Sequence, residues 1–185
     1  MFKRTLLNYL LLASVVIYTT QACQKQQEST TSSDAVAISD NTKDGLTQVL
    51  QGYYQLKDAM VASDSMKVKM DADSLMVLIE GVDTSNLEES VSTLITSQMD
   101  AVRFNVQKIA TTSGITAQRE FLPALTTNMI ELITKFDFNS QPVYKQFCPM
   151  AFDDKGAYWL SDSESVLNPY FGDMMLTCGE VKEVY

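Results

Sequence analysis

The chain has 185 residues, 45% hydrophobic and 20% charged, the balance of an ordinary globular domain rather than a disordered chain. Fourteen Lys and Arg against 23 Asp and Glu leave a net charge of −9, which argues against nucleic acid as a partner, because that binding rests on cationic contacts to phosphate. No histidine is present, so Ser-His-Asp and Cys-His nucleophile systems, all-histidine zinc sites and imidazole pH switches are excluded.

Residues 1–22 read as a signal peptide. Lys3 and Arg4 form a positive start, and Leu6 to Tyr18 is an apolar stretch broken only by Asn8 and Ser14. That stretch is too short to span a bilayer. Ala22 followed by Cys23 resembles the bacterial lipobox, in which the cysteine becomes the lipidated N-terminus; Thr20 and Gln21 depart from its usual pattern. Acyl chains on Cys23 would anchor the protein to a membrane without a transmembrane helix. Residues 23–42, rich in Gln, Ser, Thr and Asp, are then a tether without structure of its own.

Residues 43–185 read as one domain, and its first part, 43–137, as helices. Leu46, Val49, Leu50, Tyr53, Lys57, Met60 and Val61 recur at helical spacing, with Asn41 or Thr42 as cap and Ser63-Asp64-Ser65 as the stop. Val68, Ala72, Leu75, Met76 and Ile79 repeat the pattern up to Gly81. A third run opens at Asn86, places Glu88 and Glu89 in its first turn, carries Leu87, Val91, Leu94, Ile95, Val102, Val106 and Ile109, and closes at Gly114. The fourth opens near Thr116 and carries Phe121, Leu122, Leu125, Met129, Leu132, Ile133 and Phe136, with Pro123 predicting a kink near Arg119. Four amphipathic helices with short connections predict an antiparallel four-helix bundle. Met60, Met76, Met99 and Met129 lie on or beside the apolar stripes and read as core filler, and Met66 and Met70 as packing or surface residues.

From Phe138 the helical period vanishes. Three of the four prolines, three of the seven glycines and nine of the seventeen aromatic residues fall in 138–185. Such a segment predicts a turn-rich lobe with a short β-hairpin, Val143–Phe147 and Ala157–Leu160 joined through Asp153-Asp154-Lys155-Gly156. Asn168-Pro169-Tyr170-Phe171-Gly172 reads as a further turn. So short a lobe cannot bury enough apolar area to stand alone, and Tyr158, Trp159, Tyr170 and Phe171 are expected to pack it on the helices.

The block CPMAFDDKGAYWLSDSESVLNPYFGDMMLTCGEV, with GYYQLKDAMVASD and QREFLPALTTNMIEL upstream, resembles domain-of-unknown-function family 3347 over roughly residues 44–184. The resemblance implies a bacterial envelope lipoprotein, facing the periplasm or on the outer membrane. Because related domains end the periplasmic adaptors of copper and silver efflux pumps, it also implies heavy-metal efflux components as partners. It implies no catalytic activity. Those adaptors often carry a Tyr-x-Cys-Pro-Met-His-Pro motif. Here Cys148-Pro149-Met150 is followed by Ala151 and Phe152, without the histidine. What remains is Cys148-x-Met150 and Met175-x-x-Cys178, two thiols and two thioethers that would suit Cu(I) or Ag(I). The family pattern favours Met175 over Met174 as the second thioether.

A disulfide is the competing reading, and two free structural thiols a third. In an oxidising envelope, cysteines thirty positions apart commonly pair, and closing such a loop would stabilise by roughly 3–4 kcal/mol on the chain-entropy estimate. The alternative function is then an interaction domain with a stapled lobe. No base accompanies either cysteine in sequence and no carboxylate pair is legible, so no enzyme is expected.

Overall fold

The computed structural model describes residues 36–185. The signal peptide, Cys23 and most of the tether lie outside the described residues. The chain is mainly helical and ends in a small antiparallel sheet. No described helix is long and apolar enough to cross a membrane.

The first helix, α1 (Asp40–Val61), starts three residues before residue 43, the expected start of the domain. Ser39, rather than Asn41 or Thr42, is its cap, and its hydroxyl accepts the Thr42 N–H at 3.3 Å. Upstream, Val36 donates its N–H to the Lys135 carbonyl at 2.8 Å, and Val36 and Ile38 pack on the core. Asp64 stops the chain between helices and caps α2 (Ser65–Glu80), its carboxylate accepting the Met66 and Lys67 N–H groups at 3.1 and 2.9 Å. Gly52 lets α1 and α2 approach closely, since a Cβ there would lie 2.9 Å from Leu75 and Leu78. The third helix, α3 (Glu89–Thr111), has Glu88 rather than Asn86 at its cap.

The fourth predicted helix is two. A short α4 (Ile115–Arg119) ends before Glu120, and α5 (Leu122–Phe136) begins with Pro123 in its first turn. The proline therefore starts a helix instead of kinking one, because its missing N–H costs nothing there. Packing runs α1 on α2, α2 on α3 and α3 on α5, with α5 and α1 both meeting the sheet.

That sheet has three strands, not the two of a hairpin: β1 (Tyr144–Cys148), β2 (Ala157–Ser161) and β3 (Glu180–Val184), in the order β2-β1-β3 and antiparallel throughout. Trp159 and Leu160 are fully buried with Val143 in the same core as Leu46, Tyr53, Leu125 and Met129. Two hydrogen-bonding side chains fasten the lobe to the helices. The Tyr53 hydroxyl accepts the Leu160 N–H at 3.0 Å and shares a 2.8 Å hydrogen bond with the Thr126 hydroxyl. Buried Arg119 donates to the carbonyls of Met60 and Pro169 at 2.7 and 2.6 Å and to the Ser63 hydroxyl at 2.8 Å.

Candidate functional site

The two cysteines that the sequence singles out meet at the end of the sheet. Strand alternation places Gln146 and Cys148 on one face of β1, and both are fully buried. Phe147 pairs with Glu180 across the antiparallel β1–β3 ladder, so the residue after Phe147 lies opposite the segment just before Glu180. Cys178 stands in that segment, and its Sγ lies 3.0 Å from the Cys148 Sγ. Cys148 is inaccessible, while Cys178 is partly exposed.

The backbone around the pair is held independently of the sulfurs. Cys178 donates its N–H to the Met175 carbonyl at 3.1 Å, closing a turn. Its carbonyl accepts the Asn168 side-chain N–H at 2.7 Å, and the Asn168 Oδ1 accepts the N–H groups of Tyr170 and Phe171 at 2.8 and 3.2 Å. Gly179 follows with φ 145°, where a Cβ would lie 2.8 Å from the Phe147 carbonyl and from the Trp159 ring. On the opposite strand, the Gln146 amide donates towards the carbonyls of Ser163, Glu164 and Ser165 at 2.9 to 3.3 Å.

The methionines are placed differently. Met150 is 47% exposed on the turn that leaves β1, and Met174 is 76% exposed. Met175 is half-buried and joined to Cys178 by the turn hydrogen bond just described. Among the described residues no three His, Cys, Asp or Glu side chains form a metal-holding group. Two thiolates on one tetrahedral ion, each at about 2.3 Å, stand further apart than this sulfur pair; an ion would have to widen it. A disulfide needs the opposite movement, to about 2.05 Å.

Electrostatics favour the protonated form of the Cys178 thiol. The hydrogen bond with Cys148 raises the Cys178 thiol above its ordinary range, with desolvation adding, which is the reverse of an activated nucleophilic cysteine. Burial, then the neighbouring Tyr53 and Cys148, pushes Tyr170 well above the usual phenol range. Tyr170 packs edge-on against Trp159 and Phe152 and donates its hydroxyl proton to the Tyr158 carbonyl.

Trp159 and Tyr170 are buried and Phe171 is half-buried, whereas Tyr158 is 40% exposed. Adjacent strand residues face opposite ways, so Tyr158 and Trp159 cannot share one packing surface. Tyr158 instead stacks on Phe147 across the outer face, ring centres 4.6 Å apart, with Lys145 above it at 4.9 Å.

Sequence reasoning missed a small pocket of about 50 Å³ whose walls include Thr47, Gln51, Tyr54, Asn139 and Asp162. The Tyr54 hydroxyl is buried there without a protein hydrogen-bond partner among the described residues. Desolvation, then Tyr53 and Asp162, pushes it well above the usual phenol range. Position 54 adjoins Tyr53 on the apolar stripe, and nothing in its spacing separated it from the core.

A family described as "Protein of unknown function (DUF3347)" matches residues 49–141. The matched span runs from within α1 to the loop before β1, so the cysteine-bearing lobe, where the sequence resemblance was densest, lies beyond it. No curated protein and no solved structure matches the chain.

Proposed function

The chain belongs to the DUF3347 family, and on that premise we propose that it is a non-catalytic domain of the bacterial envelope, exported by residues 1–22 and tethered through a lipid on Cys23. Its four long helices are read as an antiparallel four-helix bundle that carries the C-terminal lobe as a docking surface, locked by a Cys148–Cys178 disulfide. The observation that carries this reading is the 3.0 Å sulfur separation at a buried strand end. In an oxidising compartment such a pair closes.

The test is the mass of the peptides carrying Cys148 and Cys178, from the full chain purified from the envelope without reductant and alkylated in denaturant before and after reduction. Two alkyl groups should appear only after reduction. Alkylation of both cysteines in the denatured, unreduced protein would overturn the disulfide. For the anchor, Cys23→Ser should release the protein from alkaline-washed membranes; retention there would refute lipidation.

The partial exposure of Cys178 beside half-buried Met175 favours a second reading for the reduced protein. The two thiols, with Met175, and Met150 after a movement inward, would take one Cu(I) or Ag(I), and zinc much more weakly. Heavy-metal efflux components are the partners that go with it. In a competition titration the reduced wild type should outbind the Cys148→Ser, Cys178→Ser double variant for Cu(I). Equal binding would remove the site.

A further inference from the structure

We infer that Cys148 and Cys178 form a reversible dithiol–disulfide couple that exchanges with partner disulfides through Cys178 alone, Cys148 serving as the resolving thiol; this rests on the proposed reading that the pair oxidises. Two independent features carry it. The first is the difference in access. Cys148 is 0% exposed at the end of the central strand, whereas Cys178 lies in a surface loop between exposed Thr177 and the exposed strand residue Glu180. Exchange requires a thiolate to reach a disulfide sulfur directly, so only a reachable sulfur can form a mixed disulfide with another molecule.

The second feature is the frame. The Phe147–Glu180 register, the Asn168 clamp on the Cys178 carbonyl and the Met175–Cys178 turn all stand while the two cysteines are free thiols. The frame therefore needs no bond between the sulfurs, and it sets them 3.0 Å apart.

The chemistry balances in two steps. The Cys178 thiol loses its proton and its sulfur attacks one sulfur of the partner's disulfide; that S–S bond breaks, a mixed disulfide forms, and one partner sulfur leaves as a thiol after taking up a proton. The Cys148 thiol then loses its proton and attacks the Cys178 sulfur; the Cys148–Cys178 bond forms and the second partner sulfur leaves as a thiol. The pair is oxidised by two electrons, the partner's disulfide is reduced to two thiols, and the reverse sequence begins when a partner thiolate attacks Cys178.

The test uses the reduced chain carrying Cys23→Ser throughout, which leaves Cys148 and Cys178 as its two thiols, and the disulfide of 2-mercaptoethanol, a small uncharged probe, followed by intact mass. This parent should lose two hydrogens and accumulate no adduct. Cys148→Ser should trap one mercaptoethanol on Cys178, and Cys178→Ser should react at Cys148 more slowly by about tenfold or more. Circular dichroism of each variant shows that it is folded, and Cys148→Ala and Cys178→Ala repeat the comparison should a serine variant fail to fold. Equal trapping rates in the two folded single variants would overturn the inference while leaving the disulfide itself intact. Failure of the parent to lose two hydrogens would overturn the underlying reading instead.

Discussion

The Cys178 thiol shares a hydrogen bond with the buried Cys148 thiol, and that bond is the largest cause of its raised value. For an acid, a raised value means less thiolate at neutral pH, and only thiolate alkylates. Reduced wild type should therefore react with iodoacetamide at Cys178 more slowly than Cys148→Ala does near neutrality, and the gap should narrow as pH rises. Equal rates, read by peptide mass, would mean that the thiols do not pair in solution. Asn168 belongs at the same scale. It is fully buried, donates one hydrogen bond to the Cys178 carbonyl and accepts two from Tyr170 and Phe171. Asn168→Ala leaves one buried backbone N–H, on Tyr170, and two partly buried groups, on Phe171 and Cys178, without that partner, which should cost about 2 kcal/mol, measured by urea unfolding of the reduced protein; a loss below about 0.5 kcal/mol would show that other groups replace the clamp. The sequence marked Asn168 as the opening of a turn, through Asn-Pro, but its role in holding Cys178 depends on a residue ten positions away. Turn chemistry is local and legible; the clamp is tertiary.

Among elements, the helices follow from spacing because each buries one stripe, and Leu46, Val49, Tyr53, Lys57 and Met60 are all buried where period 3.6 places them. Even Lys57 obeys the stripe, with its ammonium reaching Asp58 at 2.5 Å. The third strand escaped because Glu180–Val184 is a charged edge, exposed at nearly every residue, and no inward apolar face announces it. Charge on an edge strand hinders further pairing and erases the alternation that makes strands readable. The other edge, β2, is protected by a side chain instead: Tyr53 accepts the outward Leu160 N–H. Tyr53→Phe keeps the ring and removes that acceptor together with the Thr126 bond, leaving a buried N–H orphaned. A loss of about 1–3 kcal/mol is expected, with amide hydrogen exchange at Leu160 accelerated. Unchanged protection at Leu160 would show that the helix–sheet joint does not rest on this contact.

At the scale of the molecule, helices and lobe share one core, and Tyr53 and Tyr170 occupy it with hydroxyls that must stay protonated. Burial pushes Tyr53 up to about 12, against the lowering effect of its Thr126 and Leu160 hydrogen bonds, and drives Tyr170 well above the usual phenol range. The pH dependence has a definite sign. A group whose folded value is raised binds its proton more tightly in the folded state, so the stability it contributes is complete below the unfolded value near 10 and falls as pH rises through the folded value. Between those limits the unfolded chain releases a proton that the folded chain keeps. Urea unfolding followed from pH 9 upward should thus show stability declining from about pH 10. Tyrosinate absorbance for the buried rings should appear together with the loss of helical circular dichroism rather than before it. Tyr53→Phe should flatten part of that decline while lowering stability at neutral pH, which separates ionisation from packing. Full tyrosinate absorbance with the helical signal intact would mean that hydroxide reaches these rings in the folded protein, and that helices and lobe do not close over a common interior.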